Sequence, residues 1–336
     1  MTIRLTRDEV HDLATRTLRQ VGYAPDHVQA IADMLTTCQM DDCQSHGLFR
    51  LFMCVDTIQR AQVDAWAEPT VILDDSAAIR VDARGGISLR AVQTGLPDLV
   101  ERTRSLGVAV MAVNHCYHFS ALWPEVEQIA RQGLAALSMV PSHAWVAPAG
   151  GTRGALGTNP ISFGWPRGDR DPFVFDFATS AFARGEIELF RRAGKPLPEG
   201  VALDAAGQPT TDPEAALAGA MCTFGSFKGS ALSLMIELMA GPLIGDLTSL
   251  DSMKAAAGSP GAPYHGQIIV AFDPEKLSGG QSADSQARAE RLFKEIADQG
   301  ARLPSERRYA ARAHNRARGY VEISRQLYDD LTALSA

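Results

Sequence analysis

The chain contains neither G-x-G-x-x-G nor G-x-x-x-x-G-K-[ST], the two glycine-rich patterns that cradle phosphates at a strand-to-helix turn. Its closest glycine-rich run, GGTRGALGTNP at 150–160, has a different spacing and leads into a strand pattern rather than a helix. A dinucleotide bound here must have its pyrophosphate held in some other way. Cysteine is scarce and unpatterned. Cys38, Cys43, Cys54, Cys116 and Cys222 form no C-x-x-C pair and no zinc spacing, and an odd number without a secretory leader fits reduced thiols and a cytoplasmic location. Positive charge is not in excess: 32 Lys and Arg against 39 Asp and Glu give a net charge of -7. That balance argues against nucleic acid or an anionic membrane as the main partner, while an anionic small molecule needs only local positive charge. Long apolar runs are also missing. The most apolar helical stretch, SALSLMIELMAGPLIG from Ser230 to Gly245, is short for a bilayer, carries Glu237 and reads as a buried core helix.

What is there belongs to an ordinary globular chain of 336 residues, 46% hydrophobic, too long for one small core. Thr6 and Glu9 make a capping box ahead of a stripe of Val10, Leu13, Ala14, Leu18 and Val21 at 3.6-residue spacing. A second helix spans about 25–39 and a third follows Ser45-His46-Gly47, so the first sixty residues read as helical. Alternation then takes over. TVILDD, AAIRVDA, GVAVMAV, LAALSMV, ISFGWP, FVFDFAT and QIIVAFD read as strands, with helices at about 89–105, 120–132, 226–242 and 284–299. A last helical block covers about 305–318 and 323–334, and 244–265 reads as a surface excursion. The interleaving predicts a mixed α/β protein.

Chemistry-bearing residues cluster in a few places. In QSHGLFR, a helix opened by Gly47 would place His46 and Arg50 on one face, four residues apart. An imidazole changes charge near neutral pH, a guanidinium grips a carboxylate through two parallel bonds, and Ser45 is placed to orient the ring. The plainer reading, in which Ser45 caps the helix and Arg50 lays its stem along apolar surface, stays open on these residues alone. VNHCYHFSALWPEVE ends a strand with Asn114, His115 and His118 and turns into a helix whose first N–H groups suit a phosphate. The two histidines have no third ligand nearby, so no metal is expected. Thr158 and Asn159 precede Pro160 in a turn that exposes side-chain donors at a strand mouth. A further strand ends at Asp176, followed by Arg184, Gly185 and Glu186. Glu186 is a candidate to pair with His46 and keep it protonated, or else a solvated helix charge. Lys228 opens the apolar helix, where a phosphate would be attracted. The arginine-rich segment from Arg302 to Arg318 is either a solvated basic face or a partner for a cofactor phosphate.

As an ordered set, QSHGLFR, HFSALWPEVE, GTNPISF, FDFATSAFARGEI, FKGSALSLM and RLPSERR resemble the malate/L-lactate dehydrogenase superfamily of NAD(P)-dependent reductases, over nearly the full chain. Gln44, ALWP after Phe119, and KGSALS resemble most its branch of Δ1-piperideine-2-carboxylate/Δ1-pyrroline-2-carboxylate reductases. The resemblance implies a non-Rossmann three-layer α/β fold with a large mixed sheet and a helical part formed by both chain ends. It divides the chain into 1–60 plus 305–336, 61–122 plus 284–304, and 123–283. It implies a homodimer that reduces a cyclic imine carboxylate, or alternatively a 2-oxoacid, with NADPH, NADH being the alternative cofactor. By the same resemblance His46 donates the proton with Ser45 and Glu186 as its relay, Glu186 standing where an aspartate is expected. Arg50, Thr158, Arg184 and Gly185 would bind substrate. His118, Phe119, Ser120, Ala121, Leu122, Asp176, Phe177, Ala178, Phe227, Lys228, Arg302, Arg307 and Arg308 would hold the cofactor.

Overall fold

The computed structural model describes residues 2–60, 62–256 and 261–334. The chain opens with a short strand, β1 (Thr2–Leu5), and α1 (Arg7–Gln20) starts where Thr6 accepts the Glu9 N–H at 3.2 Å. The Glu9 carboxylate accepts the Thr6 N–H in return at 2.7 Å. Then follow α2 (Pro25–Met40), α3 (Leu51–Gln59), β2 (Thr70–Leu73), β3 (Ala78–Asp82), α4 (Ser88–Leu106) and β4 (Val108–Tyr117). Gly107 ends α4 in the left-handed conformation, φ 91°, where other residues are strained. The middle of the chain gives α5 (Trp123–Ala130), β5 (Ala135–Met139), β6 (Ile161–Trp165), β7 (Phe173–Phe177), α6 (Arg184–Arg192), β8 (Ala202–Leu203), α7 (Pro213–Ala218) and β9 (Ala220–Met221). The remainder is α8 (Phe227–Ala240), α9 (Ser249–Ala255), β10 (Tyr264–Phe272), α10 (Pro274–Leu277), α11 (Ser282–Asp298), α12 (Glu306–Arg318), β11 (Val321–Ser324) and α13 (Arg325–Leu334).

Seven strands form one mixed sheet in the order β2-β3-β4-β10-β5-β6-β7. Only β3 and β4 run parallel, and α4 supplies the crossover that a parallel pair requires. Along β10, Ile269 and Ala271 join the large core shared with α1, α2 and α4, while Ile268 joins Met139, Ile236 and Ala240 under α8 on the other face. The fold is therefore a mixed α/β three-layer arrangement, as expected. Both chain ends build the helical part: β1 pairs antiparallel with β11, and α13 packs on α1 and α3.

Three readings of the sequence are corrected. The chain begins with a strand, which four residues paired only with the far end could not announce. The segment 244–265 is not a surface excursion, since α9 buries Ser249 and Ser252, although 257–260 lie outside the described residues. Helix α8 is not a fully buried core helix. Ser233, Ile236, Glu237 and Ala240 face the sheet, whereas Phe227, Leu234 and Leu238 are exposed. The stretch Phe227–Ile244 is apolar enough by composition to cross a membrane, yet Glu237 is committed to the protein. Its carboxylate accepts from Gly157 N, Ser249 N and Asn159 Nδ2.

Candidate active site

After α2 the chain makes two separate 3₁₀ turns, Gln44–His46 and Leu48–Arg50, broken at Gly47, rather than the single helix expected there. Gln39 causes the break. Its side-chain oxygen takes the Leu48 N–H at 3.1 Å, and a Cβ at position 47 would overlap that amide. The two turns still bring the residues together. Ser45 Oγ lies 3.1 Å from His46 Nδ1, and Arg50 Nη2 lies 3.1 Å from His46 Nε2. Among the described residues, Arg50 Nη1 meets only the Met53 sulfur, at 3.7 Å, and its buried Nε has no partner.

Around this trio stand imidazoles and no hydrogen-bonded carboxylate among the described residues. His118, just after β4, holds Ser120 Oγ at 3.3 Å and lies 5.8 Å, centroid to centroid, from His265 on β10. His143 holds Ser252 Oγ at 3.2 Å. Burial first, then the Arg50 charge, pushes the His46 pKa well below its ordinary value. Burial also depresses His118, with further contributions from His265, His46 and Arg50. His143 is pushed down to about 4, chiefly by burial and then by His265. Neutral imidazoles grouped with a guanidinium whose hydrogen bonds are only partly made suit an anion.

The start of α6 closes one side. A Cβ on Gly185 would sit 3.8 Å from that of Ser45, so this turn abuts the serine. Arg184 stacks on the Trp145 ring at 4.4 Å and donates to the Leu217 carbonyl at 3.1 Å. Thr158 is tied through its carbonyl to the Thr179 N–H at 2.8 Å. Neighbouring Asn159 is fully buried and donates to Ser233 and Glu237, so it anchors the turn rather than exposing a donor. Glu186 departs from expectation. It is exposed, and its carboxylate accepts the Ala183 N–H at 3.1 Å, capping α6 instead of pairing with His46. As the third residue of a helix it turns back to the open N–H groups of its own first turn.

On the other side, Asp176 accepts the N–H groups of Leu122 and Trp123 at 2.9 and 3.0 Å. Those helix-start amides are therefore already taken, which corrects their assignment to a phosphate. Phe119, Ala121 and Leu122 are buried in the core, leaving only backbone to meet a ligand, whereas Phe177 is exposed and Ala178 is half-buried. Arg308 is turned inward, over the Trp123 ring at 4.5 Å. Arg302, Arg307 and Lys228 are exposed and have no acidic partner among the described residues. These free cations, with the exposed rings of Phe177 and Phe227, fit a phosphorylated dinucleotide. His143, His265, Gln39 and Trp145 were not singled out in the sequence. His143, Trp145 and His265 reach the site from distant segments, with no spacing that connects them to His46, whereas Gln39 lies close by at the end of α2.

The family described as malate/L-lactate dehydrogenase matches residues 5–332. The chain belongs to that family. The Δ1-pyrroline-2-carboxylate/Δ1-piperideine-2-carboxylate reductase of Pseudomonas aeruginosa is 54% identical over 332 residues, covering 99% of each chain. Δ1-Pyrroline-2-carboxylate reductase 1 of Burkholderia ambifaria is also 54% identical, over 98% of this chain and 97% of that protein. Among malate/L-lactate dehydrogenase structures, that of Δ1-piperideine-2-carboxylate reductase from Pseudomonas syringae pv. tomato superposes with a TM-score of 0.92. It is 38% identical, over 99% of each chain.

Proposed function

We propose that this oxidoreductase reduces a cyclic imine 2-carboxylate, Δ1-pyrroline-2-carboxylate or Δ1-piperideine-2-carboxylate, to L-proline or L-pipecolate. The observation that carries the reading is the Ser45–His46–Arg50 constellation: a carboxylate-seeking guanidinium 3.1 Å from an imidazole, with no carboxylate hydrogen-bonded to either among the described residues. The relatives' names support the same substrate class.

In this reading Arg50 grips the substrate carboxylate and so sets the ring beside His46. His46 gives a proton to the imine nitrogen through Nε2, and Ser45 fixes the ring at Nδ1. Arg184 and Gly185 close the cavity from α6. A reduced nicotinamide, when bound, supplies the hydride to C2. The side chains suited to its phosphates are Lys228, Arg302 and Arg307. Two exposed arginines without an acidic partner among the described residues, Arg302 and Arg307, favour NADPH over NADH, because an extra phosphate is where a second guanidinium gains most.

The outward apolar side of α8 and of the turn after it supports a homodimer, since Leu234, Leu238 and Leu243 would otherwise stay in water. Light scattering giving twice the chain mass tests that part. The function is tested by following NADPH and NADH oxidation with each cyclic imine 2-carboxylate, pyruvate and oxaloacetate. Oxidation with the keto acids alone would replace this reading with a 2-oxoacid reductase.

A further inference from the structure

We propose that the substrate's own carboxylate arms His46, by drawing the Arg50 guanidinium off Nε2 and so converting a hydrogen-bond acceptor into the proton donor. This rests on the imine-carboxylate reading above and adds to it a reason why the carboxylate must sit next to the reacting bond.

A guanidinium only donates, so the 3.1 Å contact from Arg50 Nη2 means that His46 Nε2 carries a lone pair there. The ring's one proton then lies on Nδ1 and is donated to Ser45 Oγ at 3.1 Å. In this form His46 has no proton to give at Nε2, the nitrogen that faces Arg50. Every group around it keeps it so. Ser45 on its own turn and Gly185 at the start of α6 are neutral, and Arg50 on the next turn is cationic. His118 beyond β4 is itself held neutral by burial. The thiols of Cys38 on α2 and Cys54 on α3, which face Arg50, are held in the uncharged form by burial. Glu186 is spent on the Ala183 N–H and Asp176 on the amides that open α5.

Arg50, for its part, is held weakly. Its Nε is buried without a partner, and Nη1 has only a thioether at 3.7 Å. A carboxylate offering two parallel bonds outcompetes one imidazole nitrogen and cancels the guanidinium charge. With that cation neutralised, the smaller of the two causes that depress the His46 pKa is gone, and burial, the larger, is left to be offset by the negative carboxylate drawn in beside the ring. His46 takes a proton from solvent at Nε2. When hydride arrives at C2, the π pair of the C=N bond moves to nitrogen and takes the Nε2 proton, leaving an amine and a neutral imidazole. Arg50 recaptures Nε2 when the product leaves.

Two measurements test this. The first is calorimetric titration with 2-furoate, a planar ring carboxylate whose ring oxygen does not titrate, with NADP⁺ present, in two buffers of different ionisation enthalpy at pH 7. Binding should take up a proton fraction approaching about one per site, and His46→Asn should bind 2-furoate without that uptake. Binding by the parent with no uptake, or equal uptake by His46→Asn, overturns the proposal. The second is turnover of Δ1-pyrroline, which lacks the carboxylate. At saturation its kcat should fall by roughly two decades or more, the scale of a lost general acid, and added formate should restore part of it. Undiminished kcat without any carboxylate overturns the switch while leaving imine reduction intact. Failure of the cyclic imine 2-carboxylates themselves to be reduced overturns instead the functional reading on which it rests.

Discussion

Gln39 occupies the space in which residue 47 would carry a side chain: its amide oxygen holds the Leu48 N–H at 3.1 Å, directly beneath Gly47. The break between the two 3₁₀ turns, and with it the meeting of His46 and Arg50, depends on that exchange of a side chain for a hydrogen bond. Gly47→Ala should therefore cost about 1–3 kcal/mol in denaturant unfolding, the usual penalty of overpacking. It should lower kcat/KM as well, because Gln39 yields only by releasing Leu48. Unchanged stability and activity would show that the turn tolerates a methyl group.

Removing the imidazole is the direct test of the chemistry. His46→Ala should reduce turnover of the cyclic imine carboxylate by roughly two to four decades, with far less change in binding of the product amino acid. Full activity in NADPH-oxidation assays would exclude His46 as the proton donor.

Glu186 gives a contrasting expectation. Because its carboxylate caps α6 and does not reach His46, Glu186→Gln should leave the shape of the pH–rate profile unchanged. Its stability cost should be about 0.5–1 kcal/mol, that of a weakened cap. A shifted acidic limb in kcat/KM would restore Glu186 to a relay.

Acid should destabilise the fold through its buried imidazoles. His143 is pushed down to about 4 by burial first, then by His265 and Arg184, whereas an unfolded chain titrates histidine near about 6.5. Between those values the unfolded state binds more protons than the folded one. This group's contribution is thus complete above about pH 6.5 and is lost as pH falls toward about 4, roughly 3 kcal/mol in all. His46, His118 and His265 shift in the same direction. Urea midpoints at pH 7 and pH 5 should drop less for His143→Phe than for the parent, and an equal drop would contradict the assignment.

Arg312 joins α12 to two other elements by hydrogen bonds to Asp41, at 2.8 and 2.7 Å, and to Glu127, at 2.7 and 3.0 Å. Both carboxylates are buried. Arg312→Met strands Asp41, while Glu127 keeps its bond to Arg131 at 2.7 Å, and should cost about 3–5 kcal/mol in chemical denaturation, with Arg312→Lys costing less. A loss below about 1 kcal/mol would mean that the pair behaves as a surface ion pair.

How much of this was legible follows from distance along the chain. Ser45, His46 and Arg50 lie within six residues, so local spacing brought them together even though the helix assumed for them is two 3₁₀ turns. The strands of the large sheet were legible because alternation repeats along each, and β1 was not, because its pattern appears only beside β11. His265 escaped notice because a bulge between it and Gln267 breaks the alternation of β10 just where it joins the site. Glu186 was misjudged because residue type and spacing carry no information on which way a carboxylate turns. Arg308 was misjudged for the same reason. In an arginine-rich stretch nothing local tells the residue lying on Trp123 from those left in solvent.

The pairing of β1 with β11 has a consequence for biosynthesis. The strand β1 leaves the ribosome roughly three hundred residues ahead of β11, its hydrogen-bonding partner. At translation rates of about 5–20 residues per second, it must wait on the order of tens of seconds with an open edge. A nascent chain stalled before residue 321 has no β11 to offer that edge, so the clasp closes only once β11 has been made.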